Sequence, residues 1–288
     1  MGAADVVPGV SGGTMAFILG IYERLLSAVR SFDIVLLTLL LRGEPRAAAR
    51  HADLGFLVAL GLGIGSALLF FTRIVPLPRL IHTDPVPVFS LFFGLVSASI
   101  VTLLRHLDGF NSRHAGLLVA GAALGFIIVN LVPMETPETL PFVALSGALA
   151  VMAMILPGVS GSFVLLMLRK YGYVFDAIGK FDLSVLIPFA GGAALGLALF
   201  SRLLVWLLGR FRTAMLATII GVLIGSLWMI WPFQERAYEI VRGKERLVAS
   251  APVLPWGAGE PLGTALLWAL AGVAAVLVVE LLARRRSV

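Results

Sequence analysis

The chain has 288 residues, 59% of them hydrophobic and 13% charged, and its mean hydropathy is +1.01. Soluble domains carry roughly 25% charged residues, so an ordinary soluble enzyme, a disordered chain and a nucleic-acid-binding module are excluded, and the composition is that of an integral membrane protein. The net charge of +6 comes from cations set between apolar runs, which reads as positive-inside loop charge lying against lipid headgroups; cysteine is absent, so disulfides, thiolate metal sites and cysteine nucleophiles are excluded.

The start, Met1 to Asp5, has no basic region, and no cleavable signal is expected. The first unusual stretch is Pro8-Gly9-Val10-Ser11-Gly12-Gly13-Thr14, running apolar to Tyr22 and then to Glu23 and Arg24. Pro removes a donor and Gly favours turns, so a helix cannot run through this motif. A charged loop at 42–54 precedes three runs of spanning length, at roughly 55–72, 86–104 and 115–133.

Thr139 to Leu168 is then free of charge. As one helix it would be about 45 Å long against a hydrocarbon core of about 30 Å. A break at Pro157-Gly158 is therefore expected, either a discontinuous helix or a re-entrant hairpin. The break carries the second motif, Pro157-Gly158-Val159-Ser160-Gly161-Ser162, leading to Arg169, Lys170 and Tyr171. Three more spans follow at about 183–201, 213–232 and 262–282. Small residues recur at four-residue spacing (Gly61 and Gly65, Gly121 and Gly125, Gly192 and Gly196, Gly221 and Gly225), a pattern that lets helix backbones approach closely in lipid. Glu280, four residues before Arg284, reads as an intrahelical pair.

The two motifs are copies. At a constant offset Val10-Ser11-Gly12 matches Val159-Ser160-Gly161, Tyr22 matches Tyr171, and Phe32-Asp33 matches Phe181-Asp182; further on, Phe93-Gly94 resembles Ile220-Gly221. The expected fold is an all-α polytopic membrane protein of two repeats, each a broken or re-entrant helical segment plus three transmembrane helices. The first repeat spans 1–134, with its N-terminal helix missing or shortened, and the second spans 135–288, both in one membrane domain. Three spans between re-entrant segments invert the second copy. Placing Arg284 to Arg286 in the cytoplasm leaves 13 Lys and Arg inside and 9 outside, the sign the positive-inside bias requires. Inverted repeats with broken helices are a recurring plan of secondary transporters, whose sites lie near the midplane.

A Gly- and Ser-rich turn that opens a helix offers backbone N–H groups and a partial positive charge, which favours an anion. The candidate substrate-binding residues are Gly9, Ser11, Gly12, Gly13 and Thr14 in the first motif, and Gly158, Ser160, Gly161 and Ser162 in the second. Arg24, Arg169 and Lys170 end the post-motif helices, where they either pair with a phosphate or snorkel to the interface. Tyr22 and Tyr171 occupy matched positions, with an interface anchor as the default role. Asp5 is a candidate for carrying a coupling proton, or an exposed residue near a terminus. His51, His82, His106 and His114 all fall in or beside loops without metal spacing, and no P-loop is present; Gly9-Val10-Ser11-Gly12-Gly13 has the Gly-x-Ser-x-Gly spacing but lacks the strand-to-helix setting in which that form serves a nucleophile. No enzymatic role, metal or cofactor is expected.

Ala4 to Thr14 with Gly20-Ile21-Tyr22, and Leu156 to Phe163, resemble the two signatures of a bacterial membrane family long labelled domain of unknown function 368. The likeness extends over essentially the whole chain. It implies a polyprenyl-phosphate transporter that returns undecaprenyl phosphate, the lipid carrier of cell-wall synthesis, to the inner leaflet of the cytoplasmic membrane; a proton or sodium gradient is the expected driving partner, though no residue identifies which, and the composition leaves no place for nucleic acid. Residues and spacing alone leave two other classes open: a channel or exchanger for small inorganic anions, and a non-transporting membrane scaffold. The chain departs from the resemblance in the short stretch before Pro8 and in having Arg169 where the first motif has Gly20.

Overall fold

The computed structural model describes residues 1–2, 11–75, 77–105, 107–131, 133–241, 244–255 and 262–286. In chain order, α1 (Gly12–Ile18), α2 (Tyr22–Arg30), α3 (Ile34–Leu41) and α4 (Pro45–His51) lead to α5 (Leu54–Leu69), which a π turn extends through Phe70–Ile74. Then come α6 (Leu77–Thr83), α7 (Pro85–Arg105), α8 (Ser112–Val129), α9 (Leu140–Ile155), α10 (Gly161–Met167), α11 (Tyr171–Lys180), α12 (Leu183–Arg210) and α13 (Arg212–Ser226). A 3-10 turn at Leu227–Ile230 ends α13; α14 (Leu262–Arg286) closes the chain.

Six of these helices are long and apolar enough to cross a membrane: Leu54–Ile74, Pro85–Arg105, Ser112–Val129, Leu183–Arg210, Arg212–Ile230 and Leu262–Leu281. They coincide with the six spans expected from hydropathy, and the protein is an all-α polytopic membrane protein. Between α13 and α14 the sequence reading placed only a connection. The structure puts an antiparallel hairpin there, β1 (Gln234–Val241) with β2 (Lys244–Pro252), and a bulge between Ala237 and Tyr238 shifts its register.

Positions matched in the sequence carry matched helix boundaries. Helices α1 and α10 begin and end at matched positions, and α2 and α11 both start on the matched tyrosines. Each copy then caps its next helix with an aspartate: Asp33 accepts from the Leu36 N–H at 3.0 Å, and Asp182 from the Ser184 N–H at 3.1 Å. Even the backbone between α1 and α2 is copied. Gly20 has φ +69°, and Arg169 at the matched position has φ +50°, a left-handed conformation that costs a non-glycine residue about 1 kcal/mol.

Helices pair across the two halves. Gly94 of α7 lies directly on the backbone of Ala269 in α14; its sequence mate, Gly221 of α13, lies on the backbone of Leu118 in α8. Gly121 meets Thr218 and Gly125 meets Val222; both contacts advance in the same direction, so α8 and α13 run parallel. Helices α9 and α12 do the same, with Gly192 on Ala144 and Gly196 on Ala148. Backbone-to-backbone contact of this kind needs small residues, because lipid supplies no hydrophobic drive between helices. By contrast, Gly61 and Gly65 of α5 have no described neighbour within 4 Å. The core forms where Tyr22, Leu26, Phe89, Phe92, Leu204, Ile220 and Leu223 meet. Glu280 faces α7 and accepts from the Thr102 hydroxyl at 3.3 Å; the Arg284 side chain, its expected intrahelical partner, lies outside the described side chains.

Candidate functional site

The break at Pro157-Gly158 is real: α9 stops at Ile155 and α10 starts at Gly161. Gly158 turns the chain with φ +88°, and an added Cβ would crowd the Ser226 hydroxyl at 3.0 Å. Only glycine fits both conditions without strain. The chain then doubles back. Met134, ahead of α9, donates its N–H to the carbonyl of Met167 at the end of α10, at 2.8 Å. The Thr136 hydroxyl donates to the Leu168 carbonyl, and Arg169 pairs with Glu135 at 3.0 Å. Segment 134–139 and α9 thus form a hairpin with α10, and its two ends touch.

The first motif helix meets this hairpin at the turn. Ser11 caps α1 by accepting from the Thr14 N–H at 3.2 Å, and the two hydroxyls lie 3.1 Å apart. The Thr14 hydroxyl also accepts from the Gly158 N–H at 2.9 Å. Gly13 sits against the carbonyls of Met154 and Ile155, which belong to the last turn of α9. The positive start of α1 therefore abuts the negative end of α9, a favourable head-to-tail arrangement.

The sequence-predicted residues divide into groups. Ser11, Gly12, Gly13, Thr14, Gly158 and Gly161 are buried around the junction of α1 with the hairpin. Ser160 is part-buried and Ser162 exposed; their hydroxyls share a hydrogen bond at 2.8 Å, and Ser160 makes no cap bond to α10. Gly9 and Asp5 lie outside the described residues.

The cations at the helix ends are brought to separate places. Arg24 is exposed, bound to Asp53 by two hydrogen bonds at 2.6 and 3.0 Å and stacked over Phe56 at 4.5 Å. Its guanidinium holds the Asp53 carboxyl below the usual carboxylate range. Nearby, the Leu36 N–H and then His51 hold Asp33 low in the same way. Arg169 is exposed beside Glu135. Lys170 alone is buried, at 2% exposure. Its ammonium donates to the Thr136 carbonyl at 2.9 Å and faces the rings of Phe142 at 5.9 Å and Tyr173 at 5.6 Å. Among the described residues no carboxylate pairs with it. A buried ammonium without a counter-ion is costly, and an anion nearby would relieve that cost.

The matched tyrosines have different surroundings. Tyr22 is a core residue, edge-on to Phe17 at 5.5 Å, and its hydroxyl has no hydrogen-bond partner among the described residues, so it is not an interface anchor. Tyr171 is half-buried and tilts over Phe175 at 4.4 Å. Sequence reasoning missed Thr136, Phe142, Tyr173 and Ser226 as neighbours of the site. The one available signal was the hairpin alternative at Pro157, which brings 134–136 back to 167–170.

Residues 1–247 match the model of a family described as undecaprenyl phosphate translocase-like. A curated relative from Vibrio cholerae, named polyprenyl-phosphate transporter, is 42% identical over 239 residues, covering 82% of this chain and 76% of its own. One from Staphylococcus aureus with the same name is 28% identical over 261 residues, covering 81% and 83%. No solved structure matches. Both relatives are bacterial and both are named as transporters, not enzymes, in keeping with the six spans of this multi-pass membrane protein. The chain belongs to the undecaprenyl phosphate translocase-like family.

Proposed function

We propose that the protein is a flippase that carries undecaprenyl phosphate across the bacterial cytoplasmic membrane, returning the spent carrier lipid to the inner leaflet. The observation that carries this reading is the hydrogen bond from the Gly158 N–H to the Thr14 hydroxyl. It ties the start of α1, which follows the first motif, to the Gly158 turn in one polar centre inside an apolar bundle, and irregular backbone at membrane depth is tolerated only when buried in protein or lining a wet path. The substrate's identity comes from the relatives' names.

In this reading the hairpin of α9 and α10 is re-entrant. Two repeats, 1–134 and 135–288, form one membrane domain with opposite orientations. Supporting the inversion, α7 and α8 are consecutive spans joined by a short loop, and α13, the mate of α7, runs parallel to α8. The phosphate is held by the backbone of the two turns and by Ser11, Thr14, Ser160 and Ser162, with Gly9, Gly12, Gly13, Gly158 and Gly161 allowing close approach. Lys170, at the far end of α10 from the turn, guides the headgroup toward it. Arg24 and Arg169, paired with carboxylates now, exchange them for the headgroup on opposite sides. Ser11 and Thr14 are each 2% exposed while Ser162 is open, which supports a state open toward the second motif. Rocking of one repeat against the other then gives alternating access, driven by a proton or sodium gradient, with Asp5 a candidate for the coupling residue.

The test is translocation of labelled undecaprenyl phosphate in liposomes by wild type and by Ser11→Ala/Ser160→Ala. Translocation by the wild type and its loss in the double variant are expected. No translocation by the wild type, or full activity in the double variant, sinks the mechanism.

A further inference from the structure

A second, apolar feature adjoins the polar centre. Ser226, which meets the Gly158 turn, follows Gly225, and Gly225 lines a cleft of about 630 Å³. Its walls are Phe93 of α7, Phe126 of α8, Trp228 and Trp231 after α13, and Val253 after β2. Two aromatic pairs shape it: Phe93 stands edge-on to Trp231 at 5.4 Å, and Phe126 lies beside Trp228 at 5.8 Å. The Trp231 indole N–H donates to the Val253 carbonyl at 3.0 Å, fastening the segment after the hairpin over the cleft. A volume of this order, about 300–1,000 Å³, is that of a ligand site. Tryptophans of an ordinary interfacial belt anchor a helix end against headgroups; these two wall a concavity.

We propose that this cleft holds the isoprenoid chain next to the phosphate while the phosphate is at the Gly158–Ser160 turn, an inference that rests on the transport reading above. A phosphate drawn toward the bundle interior pulls the first carbons of its tail with it, and those carbons need an apolar place close to the turn. The cleft is the apolar space that α13 connects directly to Gly158. Its chemistry favours isoprene over an unbranched acyl chain. Flat, methyl-bearing alkene units lie against aromatic faces, and with fewer rotatable bonds per carbon they lose less entropy when ordered.

The experiment measures binding to the purified full chain of four probes: farnesyl phosphate, farnesol, inorganic phosphate and dioleoyl phosphatidic acid. Wild type is expected to prefer farnesyl phosphate to phosphatidic acid and to bind farnesol. Trp228→Ala and, separately, Leu254→Arg at the exposed rim are expected to weaken farnesyl phosphate about tenfold, abolish the preference over phosphatidic acid and leave inorganic phosphate unchanged. A farnesyl phosphate with a diazirine on its second isoprene unit is expected to label residues within 224–231 and 252–254. Wild-type affinity for farnesyl phosphate in both variants, or labelling elsewhere alone, overturns the cleft while leaving the transport reading intact. Failure of wild type to bind farnesyl phosphate better than inorganic phosphate overturns both.

Discussion

The Thr14 hydroxyl accepts a buried hydrogen bond from the backbone N–H of Gly158, 144 positions away in sequence, at 2.9 Å. It is a side chain just past the first motif satisfying the main chain of the second, at the turn between α9 and α10. A buried N–H left without a partner costs about 1–3 kcal/mol.

Thr14→Val keeps the shape and removes the acceptor, so it is expected to destabilise the protein by that amount. Thr14→Ser, which keeps the hydroxyl, is expected to lose less. Thermal unfolding in detergent checks this. A Val variant as stable as wild type would show that the link between motifs contributes nothing.

Glycines that look alike in sequence are expected to behave differently. Gly221→Leu drives a side chain into the backbone of Leu118, and Gly192→Leu into that of Ala144. Overpacking of this kind costs about 1–3 kcal/mol or more, and both variants are expected to lose monodisperse protein. Gly61→Leu meets nothing described within 4 Å and is expected to be tolerated. Size-exclusion profiles and unfolding midpoints separate the cases. A damaging Gly61→Leu would reveal a partner for that face of α5.

That contrast marks the limit of sequence reading here. The spans were legible because twenty apolar residues in a row have few other uses, and the break at Pro157 because an uncharged stretch of thirty residues is too long to cross once. The matched residues stand at a constant offset, and the short helices that follow them begin and end alike. Which glycine touches which helix was not legible, since Gly-x-x-x-Gly states that a backbone approaches without naming it. The same holds for the cations. Arg24, Arg169 and Lys170 read alike from their positions, yet Asp53 and Glu135 claim the two arginines and only Lys170 is buried. Those partners depend on loops whose paths carry no period. Tyr22 misled for a related reason: a tyrosine beside charged residues looks interfacial until the amphipathic α2 turns it inward.

The acidic loop contacts give a pH dependence of definite sign. Asp33 and Asp53 both titrate below their ordinary value in the folded protein. The stability they add is therefore complete above the ordinary carboxylate pKa of about 4 and is lost as pH falls through their lower folded values. Hydrogen exchange over residues 34–53 is expected to be steady from neutral pH to about that value and to accelerate below it, after correction for intrinsic rates. Asp53→Asn, which loses the ion pair to Arg24, is expected to show faster exchange already at neutral pH and a flatter acid limb. An acid limb unchanged in Asp33→Asn/Asp53→Asn would assign it to other groups.

Arg169 and Lys170 are neighbours in sequence and offer opposite tests. Arg169→Gly removes a left-handed arginine and an exposed ion pair; relief of the first gains about 1 kcal/mol, and loss of the second costs about 0–1 kcal/mol. Stability is expected to hold or rise. Lys170→Met removes a buried ammonium held by one carbonyl and two ring faces, and an apolar replacement of similar length at a buried charge is often neutral or stabilising. Neither variant is therefore expected to fail by unfolding. If Lys170 guides the phosphate toward the turns, Lys170→Met lowers undecaprenyl phosphate translocation about tenfold at unchanged thermal stability. Lys170→Arg does not restore it, because the larger planar guanidinium does not fit a space shaped for an ammonium. Translocation by Lys170→Met at the wild-type rate would remove the lysine from the site and leave the two turns to bind the phosphate by hydroxyls and backbone alone.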